Sequence, residues 1–243
     1  LKKPKKQKPK KEKKKSKGKI IFLIILLVLL LAGGGVAVWY FTGDDFNSQR
    51  NMKLAEECFA DGEKKDALKY YKEALKRDET LTDAYTKIAD IYLEEGKYED
   101  AIEILQDGLK DVADPDKQTI QSALEAAYNS GATQYKKEND FDAAFALLEM
   151  VKEDLDESKY TSDKTTLYIA KSDAKLAEND FYGALTVLNE GKADTASPSF
   201  DSQKVLVYNN FADYYINNGE FYSAIYALSE GYDDTKDEYL ISR

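Results

Sequence analysis

Gly62-Glu63-Lys64-Lys65-Asp66-Ala67-Leu68 and Gly96-Lys97-Tyr98-Glu99-Asp100-Ala101-Ile102 stand 34 residues apart and share one pattern, a glycine and charged steps leading to an alanine and a large aliphatic side chain. Three more stretches repeat it: Asn139-Asp140-Phe141-Asp142-Ala143-Ala144-Phe145, Asn179-Asp180-Phe181-Tyr182-Gly183-Ala184-Leu185 and Gly219-Glu220-Phe221-Tyr222-Ser223-Ala224-Ile225. Gly or Asn accepts the left-handed conformation that ends a helix, and the carboxylates that follow suit the N-terminus of the next one. Each stretch therefore predicts a turn and a new helix. The chain around them is poor in glycine and proline and has no alternating apolar run long enough for a sheet. Five copies exceed the roughly three that a stack of repeats needs to bury a continuous core.

The 34-residue period of the first two copies resembles the tetratricopeptide repeat family, over nearly all of residues 47–233. The resemblance implies an all-α fold: a right-handed superhelical α-solenoid of about five helix pairs. The family's small slot early in the second helix is then Ala67, Ala101, Ala144, Ala184 and Ala224, and the large one a turn later is Tyr71, Leu105, Leu148, Leu188 and Leu228. Its next close-packing slot is Ala74, Gly108, Val151, Gly191 and Gly231. In the first helix the aromatic slot is Asn51, Tyr85, Tyr128, Tyr168 and Tyr208, beside the small slot Ala55, Ala89, Ala132, Ser172 and Ala212. Small side chains let two helix backbones approach, and the aromatic fills the wedge where they diverge. The pairs are expected at 48–81, 82–115, 116–158 with an insertion, 159–198 and 199–233, with a short polar tail at 234–243. Extra residues fall around 116–124, 158–162 and 194–203, the last with Pro198 as the expected loop. Lys171 and Lys175 stand in slots that are normally apolar, which suggests a shifted register in the first helix of the fourth pair.

Residues 20–41 read IIFLIILLVLLLAGGGVAVWYF without a charge, long enough at about 1.5 Å per residue to cross a hydrocarbon core. The aromatic trio Trp39, Tyr40 and Phe41 suits a membrane interface. One transmembrane helix is expected here, joined to the repeats by a linker at 42–47. A cleavable signal peptide ending near Gly35-Val36-Ala37 is the alternative, and the apolar run continues past that site. Residues 1–19 hold twelve lysines and one glutamate, a net +11, which leaves −21 for the rest of a chain whose total is −10. Lysines beside a first span hold that side in the cytoplasm, so the expected protein is single-pass in the cell membrane with an extracytoplasmic C-terminal domain. The lysine tail is expected to be disordered and to rest on anionic lipid. Lacking arginine, aromatics and a fold, it does not suggest nucleic-acid recognition. Lysine-rich, tyrosine-rich, cysteine-poor usage is compatible with a bacterial source.

Nothing in the composition suggests an enzyme. There is no histidine, which removes the commonest acid–base group and metal ligand, and no phosphate-cradling glycine loop. No cofactor and no metal is expected. Cys58, the only cysteine, falls in a core-facing slot and reads as structural. Asp233-Asp234 and the carboxylates at 114 and 116 lack calcium-loop spacing and are expected to be solvated. Most tyrosines are expected in the core.

Where the resembled family binds ligands, it does so in a concave groove lined by the first helices. Carried onto this sequence, that implies a peptide-binding groove of Met52, Glu56 and Phe59, then Thr86 and Asp90, Asn129, Ile169 and Asp173, and Asn209 and Asp213. The middle slot is acidic in four copies, Glu56, Asp90, Asp173 and Asp213. Carboxylates among apolar residues suit an extended peptide bearing Lys or Arg; the alternative is that they keep an exposed face soluble. The expected function is a scaffold for protein–protein contacts in the cell envelope, with a protein or peptide partner that is basic or exported. The alternative is a self-assembling module that stacks through its terminal repeat.

Overall fold

The computed structural model describes residues 43–243. The lysine tail and the apolar run at 20–41 lie outside the described residues, and no helix within them is long and apolar enough to cross a membrane. The described chain is a string of helix pairs: α1 (Asp44–Ala60) with α2 (Lys64–Leu75), α3 (Thr82–Glu94) with α4 (Tyr98–Asp111), and α5 (Lys117–Glu138) with α6 (Phe141–Met150). A short 3-10 turn, Lys152–Asp154, leads to α7 (Glu157–Ala177) with α8 (Phe181–Thr195), then α9 (Ser199–Asn217) with α10 (Phe221–Thr235). Each helix packs on its neighbours in sequence, and no strand is found among the described residues.

The five turns inside the pairs are built alike. Gly62, Gly96 and Gly219 adopt φ of 79°, 71° and 77°, and Asn139 and Asn179 adopt 59°. In every turn the following amide reaches back to the carbonyl five residues earlier: Glu63 N to Cys58 O at 2.8 Å, Lys97 to Tyr92 at 2.8 Å, Asp140 to Tyr135 at 2.9 Å, Asp180 to Lys175 at 2.9 Å and Glu220 to Tyr215 at 2.9 Å. That bond satisfies a carbonyl the ending helix leaves open, and it requires the left-handed residue between. Asp140 and Asp180 then cap the next helix, their carboxylates accepting from Ala143 N at 3.1 Å and Gly183 N at 2.9 Å.

In the second, fourth and fifth pairs, the aromatic of the first helix lies on the glycine of the second. A Cβ built on Gly108 would stand 2.9 Å from Tyr85 Cγ, one on Gly191 2.8 Å from Tyr168 Cγ, and one on Gly231 2.6 Å from Tyr208 Cγ. The same tyrosines carry a second tie. Tyr85 donates its hydroxyl proton to Asp111 at 2.8 Å, Tyr168 to Asp194 at 3.0 Å and Tyr208 to Asp234 at 3.3 Å, each partner 26 residues on. The ring seals the helix crossing and the hydroxyl fastens the far end of the pair.

Several expectations are revised by the structure. The extra residues of the later pairs lengthen the first helices: α5, α7 and α9 run to 22, 21 and 19 residues, against 13 for α3. The loop at Pro198 is correspondingly short, and Pro198 sits at the N-cap of α9. The register of α7 is not shifted, because Tyr168 still meets Gly191 and Ser172 is buried as its slot demands. Lys171 occupies an apolar slot with its ammonium over the Phe145 ring, 6.0 Å from the ring centre, and 3.7 Å from Asp142. Asp234 is not simply solvated, since besides Tyr208 it accepts a bond from the buried Lys204 at 3.2 Å. The polar tail also contributes to the core: Leu240 is fully buried against Tyr208 and Gly231. It lies 40 residues after Phe200, which covers Gly191 in the same manner.

Candidate functional site

The first helices carry the residues assigned to the groove. Positions 52, 56 and 59 on α1, like 209, 213 and 216 on α9, follow the spacing that places side chains along one helical face. Met52 and Glu56 line a cleft with Thr82, Asp83 and Asp116, although Met52 belongs mostly to the core at 8% exposure. Asn129 lines a second, smaller cleft between α5 and α7, with Thr133 and Asp163. Ile169 borders a third with Thr165, Thr166 and Pro198. Phe59, Thr86, Asp90, Asp173, Asn209 and Asp213 lie outside these three clefts. The row is thus divided into separate stretches.

The acidic positions differ in their surroundings. Glu56, Asp90 and Asp173 are exposed. Asp90 stands 3.5 Å from Lys87, whose ammonium also lies 5.9 Å from the centre of the Phe59 ring, so Phe59 and Asp90 share one cation across α1 and α3. Thr86 turns its hydroxyl back to the carbonyl of Asp83 at 3.1 Å. Partial desolvation pushes the Asp173 carboxyl above its ordinary pKa. At the far end Arg243 donates to Asn209 Oδ1 at 3.1 Å and to the Asn209 carbonyl at 3.3 Å, and its other terminal nitrogen bonds Asp213. Two groove positions of the fifth pair therefore hold a guanidinium from the chain itself.

Sequence reasoning missed that contact and a second cluster. Lys164, with 17% of its side chain exposed, stands 2.8 Å from Asp194 and 3.6 Å from Glu149, while Tyr160 bonds Glu149. The same lysine-to-aspartate step recurs 40 residues on as Lys204 and Asp234, so the spacing was the available signal. These ties join the beginning of a first helix to the end of its second. Cys58 is half-buried, and burial together with nearby Glu63 and Asp66 raises its thiol pKa, which disfavours the thiolate. Among the described residues no group of three or more His, Cys, Asp or Glu is placed to hold a metal ion.

Residues 59–127 match the tetratricopeptide repeat family, which supports that family over part of the first two pairs and the start of the third. Among solved structures, the chain is similar to the MamA protein at 15% identity, over 79% of this chain and 94% of that one, with a TM-score of 0.31. It is similar to a thermophilic TPR protein in Thermus thermophilus at 18% identity, over 81% and 96%, with a TM-score of 0.31. It is also similar to YrrB, a TPR protein with an unusual peptide-binding site, at 17% identity, over 78% and 87%, with a TM-score of 0.29. No curated protein matches the chain.

Proposed function

We propose that this chain is a membrane-anchored scaffold whose helix pairs, wound as a right-handed superhelix on the extracytoplasmic side of a bacterial cell membrane, bind an extended basic segment of a partner protein along their first helices. One observation carries the binding reading: Asn209 and Asp213 hold the guanidinium of Arg243. A partner arginine or lysine would be received in the same way at Glu56, Asp90 and Asp173. The charge of the rest of the chain, −21 beside a +11 tail, supports a basic partner for the repeats and anionic lipid for the tail. The uncharged run at 20–41 supports the anchor, which would confine the search for partners to the membrane plane.

The test is in-cell crosslinking of the full chain, followed by comparison with a variant carrying Glu56→Gln, Asp90→Asn, Asp173→Asn and Asp213→Asn together. Loss of the crosslinked partners is expected. Their undiminished recovery would remove the groove from the function. Protease shaving of intact cells bearing a C-terminal tag checks the topology separately, with the tag lost and a membrane fragment protected.

A further inference from the structure

Among the described residues, the outer face of α10 is a packing surface of the repeat pattern that is left exposed. Phe141, Phe181 and Phe221 stand 40 residues apart at the same position of successive second helices. The first two are covered by the next first helix, at 8% and 6% exposure, whereas Phe221 is 63% exposed. Leu185 and Ile225 form a similar pair, at 5% and 65%. Tyr222 and Tyr226 extend the stripe, at 91% and 66%, and Tyr182 adjoins it from α8 with its hydroxyl bonded to Glu230. The chain's own tail does not cover this stripe. Leu240 settles lower on the helix, against Gly231, where it takes the part Phe200 plays one pair earlier.

We infer that this face pairs with the same face of a second copy, α10 against α10, about a two-fold axis. Self-complementarity favours that occupant. Positions 221, 222, 225 and 226 form one stripe along the helix, and a two-fold lays such a stripe across its own image. One pair earlier the equivalent residues of α8 pack on an aromatic ring of the next first helix, so this face accepts aromatic partners. There Phe181 stacks on Phe211 at 4.5 Å and 16°, and Tyr182 meets the same ring edge-on at 5.2 Å. At roughly 150–250 Å² per aromatic side chain, and less for Ile225, the exposed fractions of the four stripe residues and Tyr182 offer at most about 650 Å² per copy. Over two copies that is about 1,300 Å², within the roughly 1,200–2,000 Å² of a standard stable interface.

End-to-end stacking is the poorer fit. Counted from the slot shared by Asn51 and Tyr208, Leu54 and Glu57 of α1 stand where Phe211 and Tyr214 of α9 stand. Leu54 is half-buried and Glu57 is exposed and charged, so at these two positions α1 offers no aromatic ring to the α10 stripe. A symmetric pair closes after two copies, whereas head-to-tail contact would continue into filaments.

The experiment uses the full chain in density-matched detergent, measured by sedimentation equilibrium and by disulfide trapping on a Cys58→Ser background. Reversible monomer–dimer behaviour is expected, together with a dimer band on oxidation of Y222C and none for A146C, a control on the exposed surface of α6. Adding I225D and Y226E should lower the dimer fraction by at least about tenfold, as expected when residues at the centre of an interface are changed. Far-ultraviolet circular dichroism confirms that the variants remain helical. A monomer at every concentration up to about 100 µM overturns the inference. So do assemblies larger than a dimer, or Y222C trapping a foreign protein in membranes in place of its own copy.

Discussion

Tyr85 shows how one residue type serves two purposes in the second, fourth and fifth pairs. Its ring lies on Gly108, where a methyl group would collide, and its hydroxyl reaches Asp111 at 2.8 Å. Burial, reinforced by the hydrogen bond and charge of Asp111, raises the phenol pKa well above its ordinary value. Burial does the same first for Tyr128 and Tyr208, beside Asp163 and Asp234. In each case the folded chain keeps a proton that the unfolded chain releases above about pH 10. Their contribution to stability is therefore full below about pH 10 and is lost as pH rises through the folded values. Urea midpoints between pH 7 and pH 11 should be flat at first and then fall above about pH 10, in step with phenolate absorbance. Tyr85→Phe should reduce stability at neutral pH by about 0.5–1.5 kcal/mol, the net value of one hydrogen bond, and make the alkaline decline shallower. An identical alkaline slope in that variant would show that Tyr85 titrates elsewhere.

At the scale of the element, the place of a pair in the stack outweighs residue type. Phe181 and Phe221 begin equivalent helices, yet only Phe181 lies beneath a following helix. Phe181→Ala should cost about 3–5 kcal/mol through lost burial and the cavity left behind. Phe221→Ala should change the stability of the monomer by no more than about 0.5 kcal/mol. Paired urea titrations at low protein concentration test this, and equal losses would mean that α10 is covered in the monomer. The same contrast explains what the sequence could disclose. Alanine and glycine slots were legible because only small residues permit the close crossing, and the Gly and Asn turns because few residues accept positive φ. The elongation of α5, α7 and α9 was not, because it depends on distant partners. Gln106 and Gln121 reach across to Asp154, and Lys192 of α8 reaches Asp201 in the first turn of α9 at 2.5 Å. Nor was the burial of Leu240, which stands between Tyr239 and Ile241 in a short tail with no periodicity to say which of the three turns inward. The acidic row was visible as a pattern, whereas the Arg243 contact needed the chain to fold its end back onto α9.

For the whole molecule, charge separates the two modes of association. With −21 outside the lysine tail, the surface attracts basic segments and opposes a second copy. Salt shortens the screening length from about 30 Å at 0.01 M to about 8 Å at 0.15 M, so both effects weaken, with opposite consequences. An arginine-rich peptide followed by fluorescence anisotropy should bind several-fold more weakly across that range. The dimer formed through α10 should become tighter, because its contact is apolar and only its surroundings repel. Arg243→Ala sharpens the test. It removes the guanidinium already held by Asn209 and Asp213, so the peptide should gain affinity, by up to about fivefold if the freed position is worth ~1 kcal/mol. The α10 dimer should not respond, because Arg243 contacts α9. If Arg243→Ala weakened the peptide, or if added salt left its affinity unchanged, the first-helix carboxylates would be a solubilising surface. The aromatic face of α10 would then remain the principal candidate for contact with other proteins.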